Sequence, residues 1–242
     1  MKLLFLSLFA LLVSLTACCQ VERNTIEVIY TKAYKSVMNS SDNPPRLLED
    51  QKFRLFCNPV ASRFETIRST MIGDDNTIRY KVEQFARFLY RDNSHGITYK
   101  NRQERRKLYQ TEIADNIFLV KEKYNQYKWK LKNDRKKILG YRCYKAVGSY
   151  REYNHIFKRV VTINVTAWYA PGVPFSFGPS GYDGLPGLVL EASRGQFHFI
   201  ATKITFSPKE TMVMPPDKGI EVSRKEFNDV IYEIYQKHTR KH

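Results

Sequence analysis

Residues 160–169 alternate without a break: Val161, Ile163, Val165, Ala167 and Tyr169 hold one phase, and Val160, Thr162, Asn164, Thr166 and Trp168 the other. A period of two places alternate side chains on opposite sides of an extended backbone, so this stretch is a strand with one side buried. Shorter stretches of the same kind flank it. Ile26–Thr31, Phe53–Cys57, Ile97–Tyr99, Ile117–Val120, Trp129–Leu131, Lys137–Tyr144 and Phe197–Ile204 are rich in β-branched and aromatic residues, with Asn133-Asp134 read as a hairpin turn. Asn39–Pro45, with two prolines and five side chains that compete for backbone bonds, reads as a loop.

Two segments carry helical spacing instead. Gly73–Asn76 precedes Ile78, Val82, Phe85 and Leu89, which share one helical face, so residues 77–91 are read as a helix, with a strand as the rival. Ser223 and Glu226 form a capping box ahead of Phe227, Val230, Ile231, Ile234 and Tyr235, and the stripe ends among basic residues suited to a helix C-terminus. Many strands at short intervals with few crossover helices predict a mainly β fold: one curved antiparallel sheet with one or two packed helices, including a C-terminal one. No repeat or linker divides residues 20–242, which are expected to form one domain. With 43% hydrophobic residues, a disordered chain is excluded.

The N-terminus reads as an address. Met1-Lys2 is followed by an apolar run from Leu3 to Leu15, too short to span a bilayer core of about 30 Å. Residues 1–17 are therefore expected to be a signal peptide. Leu15-Thr16-Ala17-Cys18 fits lipoprotein processing, with cleavage before a diacylated Cys18; Ala17-Cys18-Cys19 fits ordinary cleavage before Gln20. The chain is therefore expected to be exported. For an exported chain, Cys57 and Cys143 form either a disulfide, stabilising by roughly 4 to 5 kcal/mol in the chain-entropy model, or two buried thiols.

Between Pro171 and Gly187, nine of 17 residues are Gly or Pro. Such density fixes some φ angles near −65° and frees others to be positive, predicting a rigid loop. Its insertions Val173, Phe175, Phe177, Tyr182 and Leu185 imply packing back on the sheet, as a structural plug or as a ligand-contacting loop. Here stands Gly184-Leu185-Pro186-Gly187-Leu188-Val189. With Trp129–Leu131, Ile138–Ala146, Ala167–Pro174, Gly178-Pro179 and, more loosely, Phe53–Leu55 with Ser62 and Phe64, it resembles the GLPGLI family of secreted Bacteroidetes proteins, with Val189 for the final Ile. The resemblance covers about residues 25–205 and implies a location in the periplasm or at the periplasmic face of the outer membrane of a Gram-negative bacterium. It implies no activity, since that family is functionally uncharacterised.

Chemistry-bearing motifs are absent from the sequence: there is no nucleophile elbow, phosphate loop, zincin helix or paired-Cys metal spacing, and no cofactor is assigned. Ser176, Ser180, Asp183 and His198 could be imagined as a triad, though no strained turn positions either serine, and Asp183 and Glu191 are expected to bond nearby backbone amides. His198, between Phe197 and Phe199, is expected on the outer side of a strand. Lys plus Arg number 40 against 24 Asp plus Glu, a net charge of +16. The surplus gathers at Arg102, Arg105, Arg106 and Lys107 and at Lys128, Lys130, Lys132, Arg135, Lys136 and Lys137, with Tyr124, Tyr127 and Trp129 interleaved. Behind a signal peptide this pattern disfavours nucleic acid and points to lipid headgroups or anionic glycans, against the plain alternative of a solvated positive face. The expected function is a non-enzymatic envelope binding or scaffold module, in one version lipid- or lipoprotein-handling. The rivals are a partner-binding accessory of an outer-membrane machine and, third, a hydrolase.

Overall fold

The computed structural model describes residues 25–34, 46–67, 96–113, 116–154, 158–195, 197–207 and 212–239. The expected signal peptide, Cys18, the loop at 39–45 and the helix at 77–91 lie outside these residues. Twelve strands form one sheet: β1 (Thr25–Tyr34), β2 (Arg46–Cys57), β3 (Ala61–Ile67), β4 (Ile97–Asn101), β5 (Arg106–Ile113), β6 (Asn116–Lys121), β7 (Lys128–Ile138), β8 (Tyr141–Asn154), β9 (Arg159–Ala170), β10 (Leu188–Arg194), β11 (Phe197–Ser207) and β12 (Ile220–Ser223). A helix, α1 (Arg224–Thr239), follows. The order across the sheet is β12-β6-β5-β4-β3-β2-β1-β11-β10-β9-β8-β7. The fold is mainly β with a C-terminal helix, as the periodicity predicts.

Every neighbouring pair is antiparallel except β12 with β6, which is parallel. The departure from an all-antiparallel sheet has a simple cause: segment 212–219 carries the chain across the sheet before β12 pairs. A second difference concerns the β7–β8 hairpin. Asn133-Asp134 does not turn the chain; β7 runs on to Ile138, with the register shifting between Leu131 and Arg135. The turn is Leu139-Gly140, at φ 49° and 81°. Two successive positive φ values match the right-handed twist of a two-residue hairpin, which Asn-Asp supplies only when its strands stop there.

Alternation assigns the faces. Ile26, Val28, Tyr30, Phe53, Leu55 and Phe64 are buried on the inner face with Val165, Ala167, Ala192 and Phe199. Phe53 stacks on Phe64 at 5.4 Å between ring centroids, and Phe199 meets both edge-on. Further along the same face, Phe227 of α1 packs on Tyr109, Phe118 and Val120. The outer face is covered in part by Val213, buried against Ala61, Tyr99, Leu108 and Leu119.

Candidate functional site

The Gly/Pro segment lies on the inner face, as its apolar insertions predict. Val173, Phe175, Phe177, Tyr182 and Leu185 are buried in the main core, together with Leu188 and Val189 at the start of β10. The segment closes on itself through Gly184 N–H to Ser176 O, Leu188 N–H to Val173 O and Val189 N–H to Phe177 O. The buried Tyr30 hydroxyl donates to Val189 O at 2.6 Å. One glycine of the motif is dictated by space. Gly187 has φ 148°, and a Cβ there would sit 2.3 Å from Ala170 O. No side chain fits between these backbones.

The segment also delivers one charge. Asp183, 5% exposed, receives Lys100 Nζ on Oδ1 at 2.6 Å and Lys107 Nζ on Oδ2 at 3.2 Å. Lys107 donates also to Gly181 O at 3.1 Å, and Trp129 Nε1 donates to Asp183 O at 2.8 Å. The lysines come from β4 and β5, where Lys100 and Lys107 are register partners. Like charges directly opposite on a sheet repel. A carboxylate lowered between them removes the repulsion and bonds the loop to the sheet. Burial pulls Lys100 below the ordinary lysine range, with Asp183 working in the opposite direction. Aromatic rings close the surroundings: Lys100 Nζ lies 4.1 Å from the Tyr124 ring centroid, and Tyr127 packs against Trp129, Tyr150 and Tyr182. Burial holds the Tyr127 phenol well above its usual range.

This geometry corrects several expectations. Asp183 binds two lysine side chains rather than backbone amides, and Glu191 pairs with Lys136 at 2.5 Å. Lys107 does not belong to an exposed basic cluster; it is 4% exposed and faces inward. Tyr127 and Trp129 do not interleave with the exposed lysines of β7, because alternation sends the aromatics to the inner face. The imagined triad is not assembled. Asp183 is committed to Lys100 and Lys107 on the inner face, whereas Phe199 points into the core and its neighbour His198 therefore points outward. Cys57 and Cys143 are buried free thiols. They lie on β2 and β8, with β1, β11, β10 and β9 between them in the sheet, so the structure does not bring them together. Among the described residues, no group of three or more His, Cys, Asp or Glu could hold a metal ion.

Lys100 is the residue that sequence reading missed. No local sequence signal marks it, because its partners are set by the β4–β5 register and by the path of the Gly/Pro segment. A second concavity, a groove of about 490 Å³ on the outer face, is lined by Glu27, Arg54, Arg63, Glu65 and the exposed Met212 and Met214. Its charges are already matched, Arg54 and Arg63 meeting Glu65 at 2.5 and 2.9 Å.

A family model described as a protein of unknown function, Porph_ging, matches residues 150–191, from β8 through β9 and the Gly/Pro segment into β10. Comparison with curated proteins finds no match. Solved structures of PNGF-II in space groups C2 and P21 are similar in fold, each with a TM-score of 0.52 and 16% identity over 86% of this chain and 33% of that one. The chain thus spans about a third of the PNGF-II chain, and at this identity the likeness concerns the fold alone.

Proposed function

We propose that the chain is an exported, non-enzymatic envelope module of the GLPGLI type, which acts by binding at its surface. One observation carries this reading: the Gly184–Val189 motif and the segment before it are spent on the interior. Leu185, Leu188 and Val189 are at most 1% exposed, and the one acid among them is neutralised by two lysines. Among the described residues the segment occupies the inner face with its own apolar side chains, which favours scaffold or partner binding over lipid carriage there. The same geometry disfavours hydrolysis, since a general acid or base must reach substrate and Asp183 is buried and paired with two lysines. The apolar leader and Leu15-Thr16-Ala17-Cys18 support export and a lipid anchor at Cys18.

Crosslinking in intact cells, followed by purification and mass spectrometry of both protein and extracted lipid, tests this. Crosslinks to envelope components, with Cys18 carrying acyl chains, are expected. Lipid recovered in stoichiometric amount from inside the fold would replace the reading with a carrier. Loss of a hydrolytic activity on substituting Ser176, Ser180, Asp183 or His198 in a chain that still folds would replace it with an enzyme.

A further inference from the structure

We propose that the tip of the β7–β8 hairpin is a contact site for an anionic lipid surface, Leu139 entering the headgroup boundary while Arg135, Lys137 and Arg142 lie against the phosphates. The inference rests on the envelope reading above and specifies where the contact is made.

Leu139 is 43% exposed at the end of the hairpin, with φ 49°. In a two-residue turn closed by Ile138 and Tyr141, that position favours Asn, Asp or Gly, and an isolated apolar side chain there has both a solvation and a backbone cost. Strained, exposed residues persist where they serve contact. The residues behind the tip are basic. Lys137 and Arg142 are register partners, both exposed, and Arg135 is exposed with its guanidinium 5.5 Å from the Tyr144 ring centroid. Lys136, on the opposite face of the hairpin, is not part of this patch: it pairs with Glu191 and sits over Trp168 at 4.3 Å. An apolar point at the end of a hairpin face that carries three cations matches the interfacial region of a bilayer, apolar below and anionic above.

Two other occupants fit less well. Among the described residues β7 is an edge of the sheet, but its register shift and its exposed Lys128, Lys130 and Lys132 blunt the edge against an added strand. An anionic glycan would use the charges and leave Leu139 without a role.

The test uses the full chain carrying Cys18→Ser, which cannot be acylated at that position, in sedimentation with vesicles of phosphatidylglycerol or of phosphatidylcholine. Binding to phosphatidylglycerol that weakens as salt rises, and none to phosphatidylcholine, is expected. Leu139→Asn suits the turn better and so should melt at or above the parent temperature, while binding about tenfold more weakly for loss of one inserted leucine. Lys137→Glu with Arg142→Glu should abolish binding to phosphatidylglycerol. Equal binding by the parent and Leu139→Asn overturns the proposal, as does binding to an acidic polysaccharide that Leu139→Asn leaves unchanged. If the parent ignores phosphatidylglycerol yet crosslinks to an envelope protein in cells, the tip fails and the module reading survives. If those crosslinks are missing as well, both fail.

Discussion

Lys100 Nζ meets Asp183 Oδ1 at 2.6 Å, across 83 residues of sequence, with both side chains only 5% exposed. The bond joins the β4–β5 hairpin to the Gly/Pro segment, and Lys107 completes it from the neighbouring strand. Two buried ammonium groups and one carboxylate leave one positive charge in excess, within a shell of tyrosine and tryptophan rings. Such a cluster holds only while the carboxylate is present, since removing one partner of a buried pair leaves a charge without compensation.

Asp183→Asn is therefore expected to cost about 3 to 5 kcal/mol, because both lysines stay buried without a counterion. Lys100→Met should cost much less, since Lys107 and Asp183 remain as a neutral pair and the methionine fills similar space. Urea unfolding of the two variants gives the comparison. Equal losses would show that Asp183 is not the counterion that stabilises the site.

The motif glycine acts through space. Gly187→Val places a branched Cβ where Ala170 O lies 2.3 Å away, at φ 148°, and should cost at least about 1 to 3 kcal/mol of backbone strain. Leu185→Ala opens a cavity in the core and should cost roughly 2 to 5 kcal/mol. Both variants should melt lower than the parent. Unchanged melting with lost binding to an envelope partner would make the loop a recognition surface instead of a plug.

Ser223 Oγ accepts from Glu226 N–H at 3.2 Å, and Glu226 Oε2 accepts from Ser223 N–H at 2.7 Å, the reciprocal box predicted for the start of α1. Ser223→Ala removes one acceptor and should cost about 1 kcal/mol. Hydrogen exchange in the first turn of α1 should rise more than exchange in β6. Uniform protection would argue that the cap contributes nothing.

What could be read from the sequence was local. Alternation in Val160–Tyr169 and the Ser223–Glu226 box are short-range signals, and each became the element it predicts. The plug was legible for a related reason: nine Gly and Pro residues cannot form a strand, and five apolar side chains among them must go inside. The clamp was not legible, because Lys100, Lys107 and Asp183 meet only through sheet register and loop path. Lys107 looked like part of a basic run, Arg102–Lys107, until the β4–β5 pairing turned it inward. The hairpin turn was misplaced because Asn133-Asp134 is a strong local turn signal that a bulge can equally absorb. The register of β8 against β7 and β9 places the turn at Leu139-Gly140, whose φ values no periodicity reveals.

The two buried thiols give the last expectation, an alkaline loss of stability. Burial pushes Cys57 far above the ordinary thiol range and Cys143 up to about 11. In the unfolded chain a thiol ionises near about 8.5. The folded state thus favours the protonated form, and its contribution is complete below about 8.5 and is lost as pH rises through about 11. Between these values each thiol should steepen the fall in unfolding free energy by up to about 1.4 kcal/mol per pH unit. Tyr30 and Tyr127, also raised by burial, act in the same direction at higher pH, so the informative quantity is parent minus Cys143→Ala. That difference should be flat from pH 6 to about 8 and should shrink toward about 11. Peptide-resolved alkylation at pH 8 should find Cys57 and Cys143 unreactive until denaturant is added. A flat difference throughout, or recovery of a Cys57–Cys143 bridge in non-reducing peptide maps, would refute the free-thiol assignment.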